Sequence, residues 1–351
     1  MFYKQLHGLR GLASLMVFFA HITAGYNLHV NNILGGYNDP NAIQYSITNI
    51  GTYGVEIFFF LSGFVIYKSS KSELEHIFFV RRFFRVYPVF FLFTCLFIAL
   101  NYLTNTKPEF NDFSVVFFNL TFLNLFFDTP ALTPNAWSIT YEVIYYYCTF
   151  YITSSFLKDR NLNVKKTIAI GIGIWMLYNY PITIYYILGV FVSINIRKIL
   201  VWVDKINLVL TNVLFILFIT TLVYFISDGA AIEWSYSSHF IINGILQPVL
   251  LTIVICLTFA KRLVFNRFLE SKVMMYCGTI SYTLYLLHPY IYKLFQAVAI
   301  KISNAGIIPV VVLFSMFIAL CLAATLAISG LINKYYEVPI YNKFAKKNLY
   351  R

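Results

Sequence analysis

Residues 309–333 run without one charged side chain, and residues 208–226 do the same. A helix needs about 20 apolar residues to cross a bilayer core about 30 Å thick. In lipid every backbone polar group must be satisfied internally, so runs of this length read as membrane-spanning helices. Taking every apolar run of spanning length gives 8–28, 51–68, 84–105, 136–157, 167–181, 182–198, 208–226, 241–260, 277–300 and 309–333. The expectation is an all-α polytopic membrane protein with about ten transmembrane helices, forming one membrane-embedded domain over 1–351. Pro181, in "YNYP", marks a tight turn between the short spans 167–181 and 182–198. Residues 114–127 are apolar but too few to span, and read as interfacial or re-entrant.

Composition excludes a soluble fold. The chain is 60% hydrophobic and 11% charged, against about 25% charged in ordinary globular domains. The net charge of +12 points to loop cations that orient the spans, and not to a nucleic-acid partner. With ten spans and the amino terminus inside, every Lys and Arg except Lys107, Lys293 and Lys301 falls on the inner side. One missed helix would invert every later loop, so both termini are expected in the cytoplasm. The five cysteines sit in or beside apolar runs with no metal-ligand spacing, so neither a disulfide framework nor a metal site is expected. The first run resembles a secretory signal, but it lacks a small-x-small cleavage site and carries His21. It reads as a retained helix.

Ionisable groups within a span are costly and need a partner or a task. Arg10 and His21 are eleven positions apart, which on a helix is about 20° beyond three full turns and about 16 Å along the axis. They therefore share a face, with Arg10 at the inner surface. The span limits put His21 about 20 Å up the core, and Glu56 and Glu142 roughly 8–9 Å below the outer surface. A histidine with a carboxylate at similar depth is an ordinary pairing for general-base work; structural pairing between helices is the plainer alternative. Arg82 and Arg85 share a face three apart, ahead of a Pro88 expected in the first turn of its helix. With Arg81 they form an inner basic cluster suited to phosphate oxygens, to anionic lipid, or to topology alone.

The strings "LRGLASLMVFFAH" (9–21), "GVEIFFFLSGFVI" (54–66), "RRFFRVYP" (81–88), "AWSITYEVIYYY" (136–147) and "GTISYTLYLLHPYI" (278–291) occur in this order. Together they resemble the bacterial acyltransferase 3 family of membrane O-acyltransferases, in its stand-alone form, over nearly the whole chain. That resemblance implies a bacterial inner-membrane enzyme. It would move an acyl group, usually acetyl, from cytoplasmic acetyl-CoA to a hydroxyl of a cell-surface glycan or lipid-linked saccharide. The family's patterns fall on Arg10 and His21, on Arg82 and Arg85, on Trp137, Ser138 and Glu142, and on Ser281, Tyr282, Tyr285, Leu286, His288 and Pro289. Glu56 stands where many relatives carry Asp.

The resemblance implies that Arg82 and Arg85, with Arg10, hold the CoA phosphates, and that His21 is the general base oriented by Glu142 or Glu56. Trp137, Ser138, Tyr145, Tyr146, Tyr282, Tyr285 and His288 are candidates to line the donor and acceptor path. Tyrosine stripes also serve as packing, and His288 beside Pro289 equally fits kink stabilisation. A covalent acyl relay on His21, Tyr or Ser stays open. Ser62, Gly63 and Gly278 suggest close helix approach, and Glu337 suggests an ion-pair partner for the basic cluster. Two rivals stand beside this reading: a proton-coupled transporter or flippase, and an enzyme whose lipid-linked acceptor lies on the inner leaflet. Membrane lipids are the remaining expected partners, and the sequence leaves oligomeric state open.

Overall fold

A computed structural model describes residues 3–36, 39, 41–133, 135–157, 161–227 and 241–346. The chain is all-helical, with no strand among the described residues. In order the helices are α1 (Lys4–His29), α2 (Ile43–Ser72), α3 (Glu75–Thr104), α4 (Phe113–Leu120) and α5 (Ala136–Leu157). Then come α6 (Val164–Asn179), α7 (Ile184–Lys205), α8 (Leu208–Ser227), α9 (Gln247–Leu257), α10 (Phe265–Leu269), α11 (Lys272–Ala305), α12 (Val310–Ile332) and α13 (Val338–Tyr341).

Among the described residues, six helical stretches are long and apolar enough to cross a membrane. They are Lys4–His29, Ile43–Ser72, Glu75–Thr104, Pro181–Lys205, Leu208–Phe225 and Val310–Lys346. Four of the ten expected stretches fall short of that measure, each for a visible reason. Helix α6 has 16 residues and α9 has 11. Helix α5 carries Ser138, Thr140, Glu142 and several tyrosines, and α11 buries Ser281, Thr283 and His288 completely.

Boundaries differ in ways that matter. Helix α3 begins at Glu75, well before the expected 84, so Arg81, Arg82 and Arg85 are helical residues and Pro88 lies in the helix interior. The first-turn placement of Pro88 is thereby corrected: Leu74 is extended and Glu75 opens the helix with an acidic first turn. Helix α2 likewise starts earlier, at Ile43. The turn at Pro181 forms as a short 3₁₀ segment, Pro181–Thr183, between α6 and α7. The 114–127 stretch is one short helix, α4, with Asp112 capping the Ser114 amide at 2.7 Å, followed by turns. The expected inner cations Lys158, Arg160, Lys347 and Arg351, and residues 37, 38 and 40 of the polar loop, lie outside the described residues.

The helices gather into two compact units, Met1–Val65 with Trp175–Ala327, and Ile66–Ile174 with Ile328–Arg351. In the first, α1 and α11 pack along their length and run parallel. His7 reaches Met275 and Thr279, Gln296 donates to Gly25, and Asn31 meets Ser303, at sequence separations of 268, 272, 271 and 272. Lipid removes most of the hydrophobic drive between helices, so close packing needs small residues. A Cβ on Gly8 would strike the Leu269 carbonyl, one on Gly11 the Met274 carbonyl, and one on Gly278 the His7 carbonyl. Gly63 and Gly189 make a similar crossing of α2 and α7, where Ser193 donates to the Phe64 carbonyl at 2.8 Å.

In the second unit, α3 and α5 pack through Phe78 and Phe150, with ring centroids 4.8 Å apart. The segment after α12 continues through a π-helical turn at Asn333–Glu337, and its Phe344 stacks on Phe84 at 5.0 Å.

Candidate active site

The first unit carries Arg10, His21, Glu56, Tyr282, Tyr285 and His288. Helix α1 presents His21 to α11, where its ring meets His288 edge to face at 5.1 Å between centroids. His288 is fully buried, and its Nδ1 donates to the Leu284 carbonyl at 3.2 Å. Pro289 has no N–H to offer the Tyr285 carbonyl four residues back, and the His288 ring also interacts with that carbonyl. These carbonyl contacts fix the ring: Nδ1 carries the hydrogen, and Nε2 keeps its lone pair in a buried position without a protein partner. Tyr285 flanks His288 at 6.1 Å and Phe58 at 6.0 Å. Tyr282 and Tyr285 are both buried.

Glu56 is fully buried, and neither carboxyl oxygen makes a well-formed hydrogen bond; the Tyr185 hydroxyl of α7 is close enough to interact with it. The equal depth expected for His21 and Glu56 does not hold. Gly51 of α2 packs on Ala20, and Gly54 on Ala13 and Val17. That antiparallel register puts Glu56 level with Ala13, about 12 Å along the axis from His21. No described carboxylate of this unit comes within ion-pair distance of His21. The neighbour of His21 here is a second imidazole.

The second unit carries Arg82, Arg85, Trp137, Ser138, Glu142, Tyr145 and Tyr146. The two arginines share a face of α3 but take different partners. Arg85 pairs with Glu337 at 2.9 Å, and Asn333 donates to the other Glu337 oxygen at 2.9 Å. Arg81 pairs with Glu73 at 2.7 Å. Arg82 instead donates to Ser69 Oγ at 2.5 Å and lies over the Phe78 and Tyr146 rings at 5.6 and 5.9 Å. No carboxylate among the described residues of this unit neutralises it. Tyr146 then donates to Glu142 Oε1 at 2.5 Å. Arg82, Tyr146 and Glu142 therefore form one connected group, guanidinium to ring and phenol to carboxylate. At the start of α5, Ser138 Oγ donates to the Asn135 carbonyl at 3.0 Å, and Trp137 meets Tyr141 edge to face at 5.3 Å.

A family model described as an acyltransferase domain matches residues 3–333. The chain belongs to the acyltransferase 3 family. Comparison with curated proteins and comparison with solved structures each found no match. Membership in a membrane acyltransferase family assigns the general chemistry, and the side chains above are where that chemistry can be sought. Two features of this family member were not visible as patterns. Tyr185, beside Glu56, follows a loop and turn with no spacing that points to a carboxylate. Ser69, which meets Arg82, lies in a polar stretch of ordinary appearance.

Proposed function

We propose that this family member is an O-acyltransferase that takes an acyl group, acetyl first among candidates, from cytoplasmic acyl-CoA to a hydroxyl of a cell-surface glycan. The observation that carries this reading is the edge-to-face contact of His21 with a buried His288 on the parallel α1–α11 pair. In the proposed reaction His21 accepts the proton of the acceptor hydroxyl as its oxygen attacks the thioester carbonyl. The new C–O bond forms, the C–S bond breaks, and the proton passes to the departing CoA thiolate. His288, held through Nδ1, keeps the His21 ring oriented. This takes over the orienting task that sequence reasoning gave to Glu56; Glu142 retains a place in the proposal through Tyr146.

On the donor side, Arg82 is the arginine best suited to phosphate, because Arg85 already faces a carboxylate. Arg10 shares its helix with His21 and is the second candidate. The proposed setting is a bacterial inner membrane with about ten spans and both termini in the cytoplasm. The parallel run of α1 and α11 supports that count, since two parallel spans require an odd number of crossings between them. The test is mass spectrometry of surface polysaccharide from cells with and without the gene. Loss of one acyl mass from a defined sugar supports the reading, and identical spectra with intact acetyl-CoA turnover elsewhere would remove the glycan acceptor.

A further inference from the structure

Within the first unit a cavity of about 210 Å³ opens between α1, α2, α8 and α9, on the face of α1 turned away from His21. Its lining includes Leu12, Met16, Ile57, Ile219 and Val254. The polar groups at its wall are already spent: Thr258 Oγ1 donates to Ile255 at 2.6 Å, and the Tyr53 hydroxyl to Leu222 at 3.4 Å. A dry apolar cavity of this kind does not hold water. Ile50 and Val223, 37% and 47% exposed, stand at its wall on helices that cross the membrane, so hydrocarbon is the solvent at its mouth.

The end of the cavity is charged. Thr258 and Phe265 both line it, and the loop they bracket carries Lys261 and Arg262, both exposed. Arg267 follows on α10, also exposed, and the nearest acidic residue in sequence is Glu270. None of Lys261, Arg262 and Arg267 forms an ion pair among the described residues. The loop is built to hold its shape. Asn266 donates to the Thr258 and Ala260 carbonyls, both at 2.8 Å, Asn212 of α8 accepts from the Val264 amide at 3.1 Å, and Phe215 packs on Phe265 at 5.0 Å. An apolar slot with unpaired cations at one rim matches the two halves of an anionic phospholipid.

We infer that this cavity is a structural lipid site, holding one acyl chain of an anionic phospholipid whose phosphate rests on Lys261 and Arg262. The site is separate from the His21 face of α1 and needs no acyl transfer to form.

The delipidated full-length protein in detergent, titrated and read by native mass spectrometry, tests it. The probes are dioleoyl-phosphatidylglycerol, dioleoyl-phosphatidylcholine and glycerol 3-phosphate. The expected order is tight retention of phosphatidylglycerol, weaker phosphatidylcholine and no retained glycerol 3-phosphate. The double variant Lys261→Gln with Arg262→Gln should weaken phosphatidylglycerol by about 30-fold, at about 1 kcal/mol per cation and a factor of ten per 1.4 kcal/mol. It should leave phosphatidylcholine unchanged. Ile219→Phe, which fills the cavity, should weaken both lipids. Equal binding of the two lipids, a preference that survives the double variant, or glycerol 3-phosphate binding as well as the lipid would each overturn the site. Both substituted cations are exposed loop residues, so that arm stands even if the packed variant misfolds.

Discussion

His21 on α1 and His288 on α11 share an edge-to-face ring contact of 5.1 Å, with His288 clamped by the carbonyl of Leu284. Replacing His21 by Ala removes the proposed base while sparing the helix seam. Acyl transfer from radiolabelled acetyl-CoA in membrane vesicles should fall by at least about 100-fold, with unchanged protein abundance by immunoblot. His288→Ala should reduce both rate and thermal stability, because it also leaves a cavity and two carbonyls beside Pro289 without their neighbour. Full activity in His21→Ala would take that residue out of the chemistry.

Arg82 and Arg85 should separate by assay. Arg85→Ala strands Glu337, whose side chain is 1% exposed. Breaking a buried pair costs about 3–5 kcal/mol, and the 31% exposure of Arg85 lowers the expectation to about 2–3 kcal/mol. The melting temperature of the detergent-purified protein reports it, and Glu337→Gln should be milder. Arg82→Ala should instead raise the Kd for acetyl-CoA by roughly 10- to 100-fold, as one charge-assisted hydrogen bond contributes about 1.5–3 kcal/mol. Equal affinities would assign Arg82 to packing against Tyr146.

Two glycines predict opposite signs. Gly278→Ala drives a methyl group into the His7 backbone and should destabilise by about 1–3 kcal/mol, as overpacking does. Gly171 in α6 has open space around its Cβ position, so Gly171→Ala should stabilise by about 0.5–1 kcal/mol through lower unfolded-chain entropy. A Gly278→Ala melting temperature that fails to fall would refute the close α1–α11 approach.

Asp112 caps α4 outside the spans, and hydrogen bonds from the Ser114 hydroxyl and amide hold its carboxyl below the usual carboxylate range. A folded-state value below the unfolded one means the cap contributes above the ordinary carboxylate pKa and is lost as pH falls through the lowered value. Protection of the Ser114 amide, measured against its intrinsic exchange rate at each pH, should therefore fall in acid, and Asp112→Ala should abolish that dependence.

Much of this was legible in the sequence, because long uncharged runs leave few alternatives in lipid. The 3₁₀ turn at Pro181, the Glu337 ion pair and the close approaches at Gly63 and Gly278 follow from local chemistry. Helix ends were less legible. Apolar runs mark where lipid stops, whereas α2 and α3 continue into polar residues, and this moved Glu56 out of level with His21. The imidazole neighbour of His21 was also out of reach. It depends on the register of two helices whose contacts lie 268 to 272 residues apart, a pairing that no local spacing encodes.

The shared direction of α1 and α11 constrains how such a chain can change over evolution. Inserting or deleting a lone crossing between them would point the second helix the other way and pull apart the two imidazoles. Interior segments can therefore be gained or lost only in twos.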